Sequence, residues 1–352
     1  MDGVTIVSDY YDCNYLTSLR DKNGNIPEIF ITDGNRTAGK SVSYKKRLID
    51  TFLKKTDINQ FILIYRYKTD MSNCAESFFT DLERLFYTGR EMTEKRLFDG
   101  AVVQLELDGL PCGFCVPLSL ASKIKKYSPI FSRVRHMFFD EYQDEDNRYL
   151  ADEVSKLMSI HTTVARGDGK QVRYVPLYMC SNTVSMLNPY YSALGINKML
   201  KKDTKILRGD GWVFEKTYNE NAKEAFQEAG FNKAFKKSKY FAYASQNVYL
   251  NDNLALIETP SGYANYFMSV KYNGAWYNFR KYSDCMYCAK GHDETYPTRV
   301  CINVTDVVDD RAIKIGTNDY LIQTLRQWFD RGVMRFENLE CKNMALDLLA
   351  YL

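Results

Sequence analysis

The sequence predicts an α/β chain: a mainly parallel sheet with helices on both faces, then a small linker region, then a β-rich second domain. Three observations carry this. Apolar, strand-like runs alternate with helix-like segments up to about residue 200, the pattern of parallel strands joined by crossover helices. One of those strands runs straight into GNRTAGKS, Gly34 to Ser41, which satisfies G-x-x-x-x-G-K-[ST] at each fixed position. From Leu254 the texture becomes aromatic and alternating, with Asn273-Gly274 between two such segments, a strong hairpin signal. At 352 residues the chain exceeds one ordinary domain. The expected divisions are 1–200, 201–245 and 246–352.

Each element follows from its pattern. Ile29-Phe30-Ile31 is a short apolar strand, and Ser41 to Leu53 continues as a helix with Leu48, Ile49, Phe52 and Leu53 on one face. Phe61 to Tyr65 is a second buried strand. Asn73 to Tyr87 reads as a helix with Phe78, Phe79, Leu82, Leu85 and Phe86 on one side. Ala101–Leu107 and Gly113–Val116 flank LDGLPCG, a hairpin turn. His136 to Phe139 is a third buried strand, ending in Asp140-Glu141. Glu153 to Ile160 is helical, and Val175 to Met179 is a strand ending in Cys180-Ser181-Asn182. Basic residues Lys201, Lys202, Lys205 and Arg208 open the linker region, and residues 318–352 are helical.

Composition removes several classes. No apolar run approaches the roughly 20 residues of a membrane helix. The first residues carry early acids and no signal-peptide core, so a cytosolic protein is expected. Nine scattered cysteines read as reduced thiols. A net charge of +3 does not by itself point to nucleic acid, so any basic surface must be local.

The motifs carry phosphate chemistry. Gly34 and Gly39 permit a tight turn, and the backbone N–H groups from Asn35 through Thr37 and Ala38 form an anion cradle with the following helix N-terminus. Lys40 is expected to reach the β- and γ-phosphates of a nucleotide, and Ser41 to bind Mg²⁺. Asp140 is placed to hold the metal's hydration shell and Glu141 to polarise the attacking water, since the ligands of open α/β sheets lie at the C-terminal strand ends. The second acid speaks for hydrolysis rather than transfer. Asn182 either senses the γ-phosphate or terminates its strand. Arg166, in a Gly-rich loop, is either a solvated charge or a finger reaching a neighbouring subunit's nucleotide. Arg36 is a long cation in a loop that usually carries small residues. It is expected to bridge the γ-phosphate and Glu141, with a surface ion pair as the alternative. Cys285, Cys288, His292 and Cys301 come near a zinc-knuckle order, but the last spacing is too long and ordinary thiols are favoured.

Together GNRTAGKS, ILIYRYK, FFDEY, CSNTVSMLNPYY and the tail RGVMRFENLECKNMALDLLAYL resemble the DNA-packaging ATPases (encapsidation proteins) of small short-tailed bacteriophages, whose motor works with a packaging RNA. The resemblance implies an N-terminal ATPase domain of the P-loop class with an additional catalytic glutamate. It implies ATP and Mg²⁺ as cofactors, and a homomeric, pentameric ring on the portal vertex of a procapsid in the host cytoplasm, driving double-stranded DNA inward. By matching position, Arg166 becomes the finger in trans and Lys68 a second basic group near that interface. Lys123, Lys125, Lys126 and Arg148 fall where DNA-gripping loops lie, although DEDN replaces a basic position before Arg148. The C-terminal domain is implied to be an RNase-H-like nuclease fold that has lost its acids and serves packaging RNA or the portal. Its acids, Glu258, Asp306, Asp309 and Asp310, form no convincing two-metal set. Other readings are a different P-loop translocase or assembly ATPase, and a nucleic-acid-binding module with a nucleotide switch, which would not need Glu141.

Overall fold

The structure is a computed structural model. It describes residues 10–351 except 146–147, 168–170, 187, 201–203, 238–240, 242–255, 302–305, 307–312, 315–318 and 332. The chain forms two compact units, Met1–Thr183 with Lys202–Asn247, and Val184–Lys201 with Val248–Leu352.

The first unit is built on a nine-stranded sheet in the order β3-β4-β5-β2-β6-β7-β1-β9-β8. Its strands are β1 (Ile29–Gly34), β2 (Gln60–Tyr65), β3 (Met92–Leu97), β4 (Val102–Leu107), β5 (Leu110–Pro117), β6 (Val134–Asp140), β7 (Leu177–Asn182), β8 (Ile206–Arg208) and β9 (Trp212–Thr217). From β5 to β9 in that order all pairings are parallel. The β3-β4-β5 meander and β8 add antiparallel edges. The central strands are apolar throughout because both faces are covered, and Phe61, Ile62, Leu63 and Ile64 are all buried. The expected β4–β5 hairpin turns at Asp108-Gly109, both with positive φ (52° and 78°), as a tight two-residue loop requires.

Five helices matter here: α1 (Cys13–Ser18), α2 (Lys40–Lys54), α3 (Cys74–Phe86), α4 (Ala121–Ile124) and α5 (Glu153–Ala165). Helix α2 buries Tyr44, Leu48, Ile49 and Phe52. Helix α3 buries Phe78, Phe79 and Leu82, but Phe86, expected on the same side, is 37% exposed. It sits in the last turn, where the Lys46 ammonium lies 5.4 Å from its ring centroid.

Two stretches fall elsewhere than the sequence divisions placed them. Residues 206–217, assigned to the linker region, are strands β8 and β9. The register of β9 follows β1 from Ile29↔Trp212 to Gly34↔Thr217, and burial of Trp212, Val213 and Phe214 fixes it. Residues 184–200, assigned to the first domain, cluster with the second unit.

The second unit carries a seven-stranded sheet in the order β10-β16-β13-β12-β11-β14-β15. These are β10 (Leu256–Ile257), β11 (Asn265–Tyr272), β12 (Ala275–Lys281), β13 (Met286–Lys290), β14 (Arg299–Cys301), β15 (Ile313–Lys314) and β16 (Met334–Phe336). An antiparallel meander β11-β12-β13 is extended beyond β11 by two parallel strands, β14 and β15. Beyond β13 the sheet continues with the parallel strands β16 and β10. The expected hairpin turns at Asn273 (φ 49°) and Gly274 (φ 78°). Helices Tyr320–Asp330 and Leu339–Tyr351 supply Ile322, Leu325, Phe329, Leu346 and Leu349 to a core with Met268, Val270 and Phe279. Among the described residues no helix is long and apolar enough to cross a membrane.

Candidate functional site

Strand order brings the predicted groups together. The phosphate loop follows β1 and the acid pair stands at the end of β6, with β7 inserted between the two strands. All three strands run parallel, so their C-terminal ends lie on one edge of the sheet.

The loop itself is set by close approach. A Cβ on Gly34 would stand 2.7 Å from the Thr217 carbonyl oxygen, and one on Gly39 2.5 Å from the Tyr10 ring. Gly39 also has φ 82° and caps α2 without a side chain, and Thr37 has φ 62°. The first N–H groups of α2 therefore remain available to an anion. Lys40 is buried, and its Nζ donates to the Asn35 carbonyl at 2.7 Å and reaches Asn182 Oδ1 at 3.4 Å. Burial pulls the Lys40 pKa down, while Cys180, Asp33 and Asp140 push it back.

Ser41 Oγ donates to Asp140 Oδ1 at 2.8 Å. The same oxygen accepts from the Cys180 thiol at 3.1 Å and the Glu141 N–H at 3.1 Å. A hydroxyl beside a carboxylate is the hard-oxygen donor set that suits a hydrated Mg²⁺. Glu141 has φ 52°, a conformation costly for a residue with a Cβ. Desolvation of its carboxyl and then the Asp140 carboxylate hold its pKa above the ordinary glutamate range, and Arg36 works the other way. Arg36 itself pairs with Glu145 at 2.7 Å, both about a third exposed.

The structure adds groups that motif reading missed. Asp33, fully buried, accepts from Gln143 Nε2 at 2.5 Å, and the Tyr142 hydroxyl lies 2.8 and 2.9 Å from its two oxygens. Arg66, at the end of β2, is buried among carboxylates and rings. Its Nε is 3.0 Å from Glu153 Oε2, a terminal nitrogen donates to the Tyr142 carbonyl at 2.6 Å, and Asp144 stands 3.6 Å away. The Phe139 and Tyr149 rings flank its guanidinium at 5.5 and 5.1 Å. The sequence signal is the cluster YRYK, in which Arg66 stands two residues before Lys68. Lys68 is exposed and donates to the Asp99 carbonyl at 2.8 Å.

On the other side of the loop is a cavity of 310 Å³, lined by Tyr10, Tyr11, Thr217, Tyr218, Asn219, Glu220 and Asn221. It is tied to the loop by an amide pair. Asn35 Nδ2 donates to the Asn219 carbonyl and the Asn219 N–H to Asn35 Oδ1, each at 3.0 Å. Tyr11 N–H also donates to the Ala38 carbonyl at 2.8 Å.

The remaining predicted residues are placed as follows. Arg166 is exposed where α5 ends. Lys123, Lys125 and Lys126 are exposed on α4 and the turn after it. Arg148 is exposed, with Asp144 3.6 Å away. In the second unit, Glu258 pairs with Arg335 at 3.1 Å, and Asp306 accepts from the Asn273 and Gly274 N–H groups of the hairpin turn. Asp309 and Asp310 lie outside the described residues. Cys285, Cys288 and Cys301 are buried, the His292 ring stacks on Trp276, and no group of three ligating side chains gathers among the described residues.

The loop, the acid strand and the polar strand end between them are gathered at one edge of a mainly parallel sheet, where α/β proteins bind their ligands. A family model described as podovirus DNA encapsidation protein (Gp16) matches residues 7–351. The chain belongs to that family and is a phage DNA-packaging motor protein. The DNA packaging proteins of Bacillus phage phi29 and Bacillus phage PZA are each 27% identical over 323 residues, covering 90% of this chain and 91% of theirs. The fold is shared with a chain of the bacteriophage Phi-29 viral genome packaging motor assembly (TM-score 0.58, 23% identity, 98% of this chain and 99% of that one). It is shared also with the Phi-28 gp11 DNA packaging motor (TM-score 0.60, 16% identity, 97% and 98%).

Proposed function

We propose that this chain hydrolyses ATP to drive double-stranded DNA into a procapsid, as one subunit of a pentameric ring at the portal vertex. The observation that carries the reading is the Ser41–Asp140 hydrogen bond with Glu141 next in the chain. Mg²⁺ held by Ser41 and, through water, by Asp140 would neutralise phosphate charge. Lys40 and the loop N–H groups bind the β- and γ-phosphates. Glu141 accepts a proton from the attacking water, and its raised pKa suits it to that role. Asn182 orients that water or reads the γ-phosphate, and the exposed Arg166 reaches the nucleotide of the next subunit, with Lys68 beside that interface. The cavity beside the loop takes the base, its Tyr10 and Tyr218 rings offering stacking faces. Lys123, Lys125, Lys126 and Arg148 contact DNA phosphates, so binding falls steeply with salt and reads little sequence.

The second unit attaches the ring to packaging RNA or to the portal and cuts no nucleic acid, because Glu258 and Asp306 are engaged in holding the fold. The host cytoplasm is the compartment. The test is phosphate release with and without double-stranded DNA. DNA raises the rate of the wild type, and Glu141→Gln abolishes the stimulated rate while still binding ATP. A Glu141→Gln variant as active as wild type contradicts the assignment.

A further inference from the structure

The residues that hold Glu141 in place are themselves attached to the root of the phosphate loop. Glu141 sits at φ 52°, and a non-glycine residue keeps such a conformation only where its surroundings over-determine it. The next two residues supply that constraint. The Tyr142 hydroxyl and the Gln143 amide both converge on the Asp33 carboxylate, and all three side chains are at least 97% buried. Asp33 is the penultimate residue of β1, directly before Gly34. A second contact joins the same two segments further out, where Arg36 of the loop pairs with Glu145. The outer contact is about a third exposed, and a pair reached by solvent contributes little. The inner one is fully desolvated, where an unpaired carboxylate would be costly.

We infer that Asp33 is a positioning residue for Glu141. Through Tyr142 and Gln143 it sets the distance between the phosphate loop and the water-activating carboxylate, without touching nucleotide itself. This rests on the reading that Glu141 activates water. No pattern in the sequence announces it, because the partners stand 109 and 110 residues apart and an acid inside an apolar strand has no motif of its own.

The experiment is a charge swap read by steady-state ATPase kinetics and by nucleotide binding. Gln143→Glu sets a second carboxylate against Asp33. It should lower kcat roughly tenfold, a misplacement effect, and leave nucleotide affinity within about twofold of wild type, because the loop N–H groups and Lys40 are untouched. The double variant Asp33→Asn with Gln143→Glu restores one amide facing one carboxylate and should recover kcat. Tyr142→Phe removes only the hydroxyl, so it decides the matter if Gln143→Glu does not fold. It should lower kcat several-fold with affinity retained. An unchanged kcat in Gln143→Glu or Tyr142→Phe overturns the inference. So does a parallel fall in kcat and affinity, or a double variant no better than the single. A wild-type chain that binds ATP without hydrolysing it would instead remove the reading of Glu141, a separate outcome.

Discussion

The two units of this chain are both mixed α/β layers, yet they use their buried polar groups in opposite ways. In the first, Asp140 of β6 and Asn182 of β7 reach Ser41 and Lys40 beside the phosphate loop, while Asp33 of β1 is held by donors of the fold. In the second, the buried acids are engaged by donors of the fold itself. Asp347 receives Ser192, Asn197 and the Tyr272 hydroxyl at 3.2, 3.3 and 2.9 Å, and Asp306 closes a hairpin turn. The difference teaches that a carboxylate's burial says little about chemistry. What matters is whether its remaining partners are fixed donors or an open anion cradle.

Substitutions can break this contrast. Lys40→Ala is expected to have the largest effect, lowering nucleotide affinity by about a hundredfold or more, since a charge-assisted phosphate contact in a buried site is lost. Isothermal titration with ATP checks it. Asp347→Ala should instead leave ATP binding intact and destabilise the protein by roughly 3 kcal/mol, because three donors lose their acceptor. Calorimetry and the titration together separate these effects.

A smaller effect is pH-dependent. Burial, with Arg47 and Arg135 adding to it, lowers the His136 pKa from the ordinary 6.5 to about 4. The folded state therefore binds this proton later than the unfolded chain does. Stability is complete above pH 6.5 and declines as pH falls from there towards 4. His136→Gln should flatten that window in denaturant titrations, and an unchanged slope would sink the assignment. The smallest effect is at the outer ion pair. Glu145→Gln should change thermal stability by less than about 1 kcal/mol, read from a thermal melt.

What could be read from the sequence divides along the same line. The phosphate loop, the acid strand, and the Asp108-Gly109 and Asn273-Gly274 turns were legible because each is a contiguous pattern with a local physical cause. The Ser41–Asp140 meeting was also foreseeable, since Ser41 stands in the first turn of the helix that follows β1 and Asp140 ends β6, and the two strands run parallel in one sheet. The Asn35–Asn219 pair, the Arg66–Glu153 pair and the Asp33 cluster were not, because their partners are 184, 87 and about 110 residues apart. Only the strand order joins them. Strand β9 was missed for a related reason: six residues after a basic stretch read as linker until Trp212 to Phe214 are seen filling the sheet.

The most direct measurement places both units in one reaction. Purified protein, Mg-ATP and linear double-stranded DNA are incubated together, and phosphate release and DNA length are followed in the same sample. The account predicts ATP hydrolysis that rises with added DNA while every DNA molecule keeps its length. Hydrolysis indifferent to DNA, or DNA cut as ATP is consumed, would contradict it.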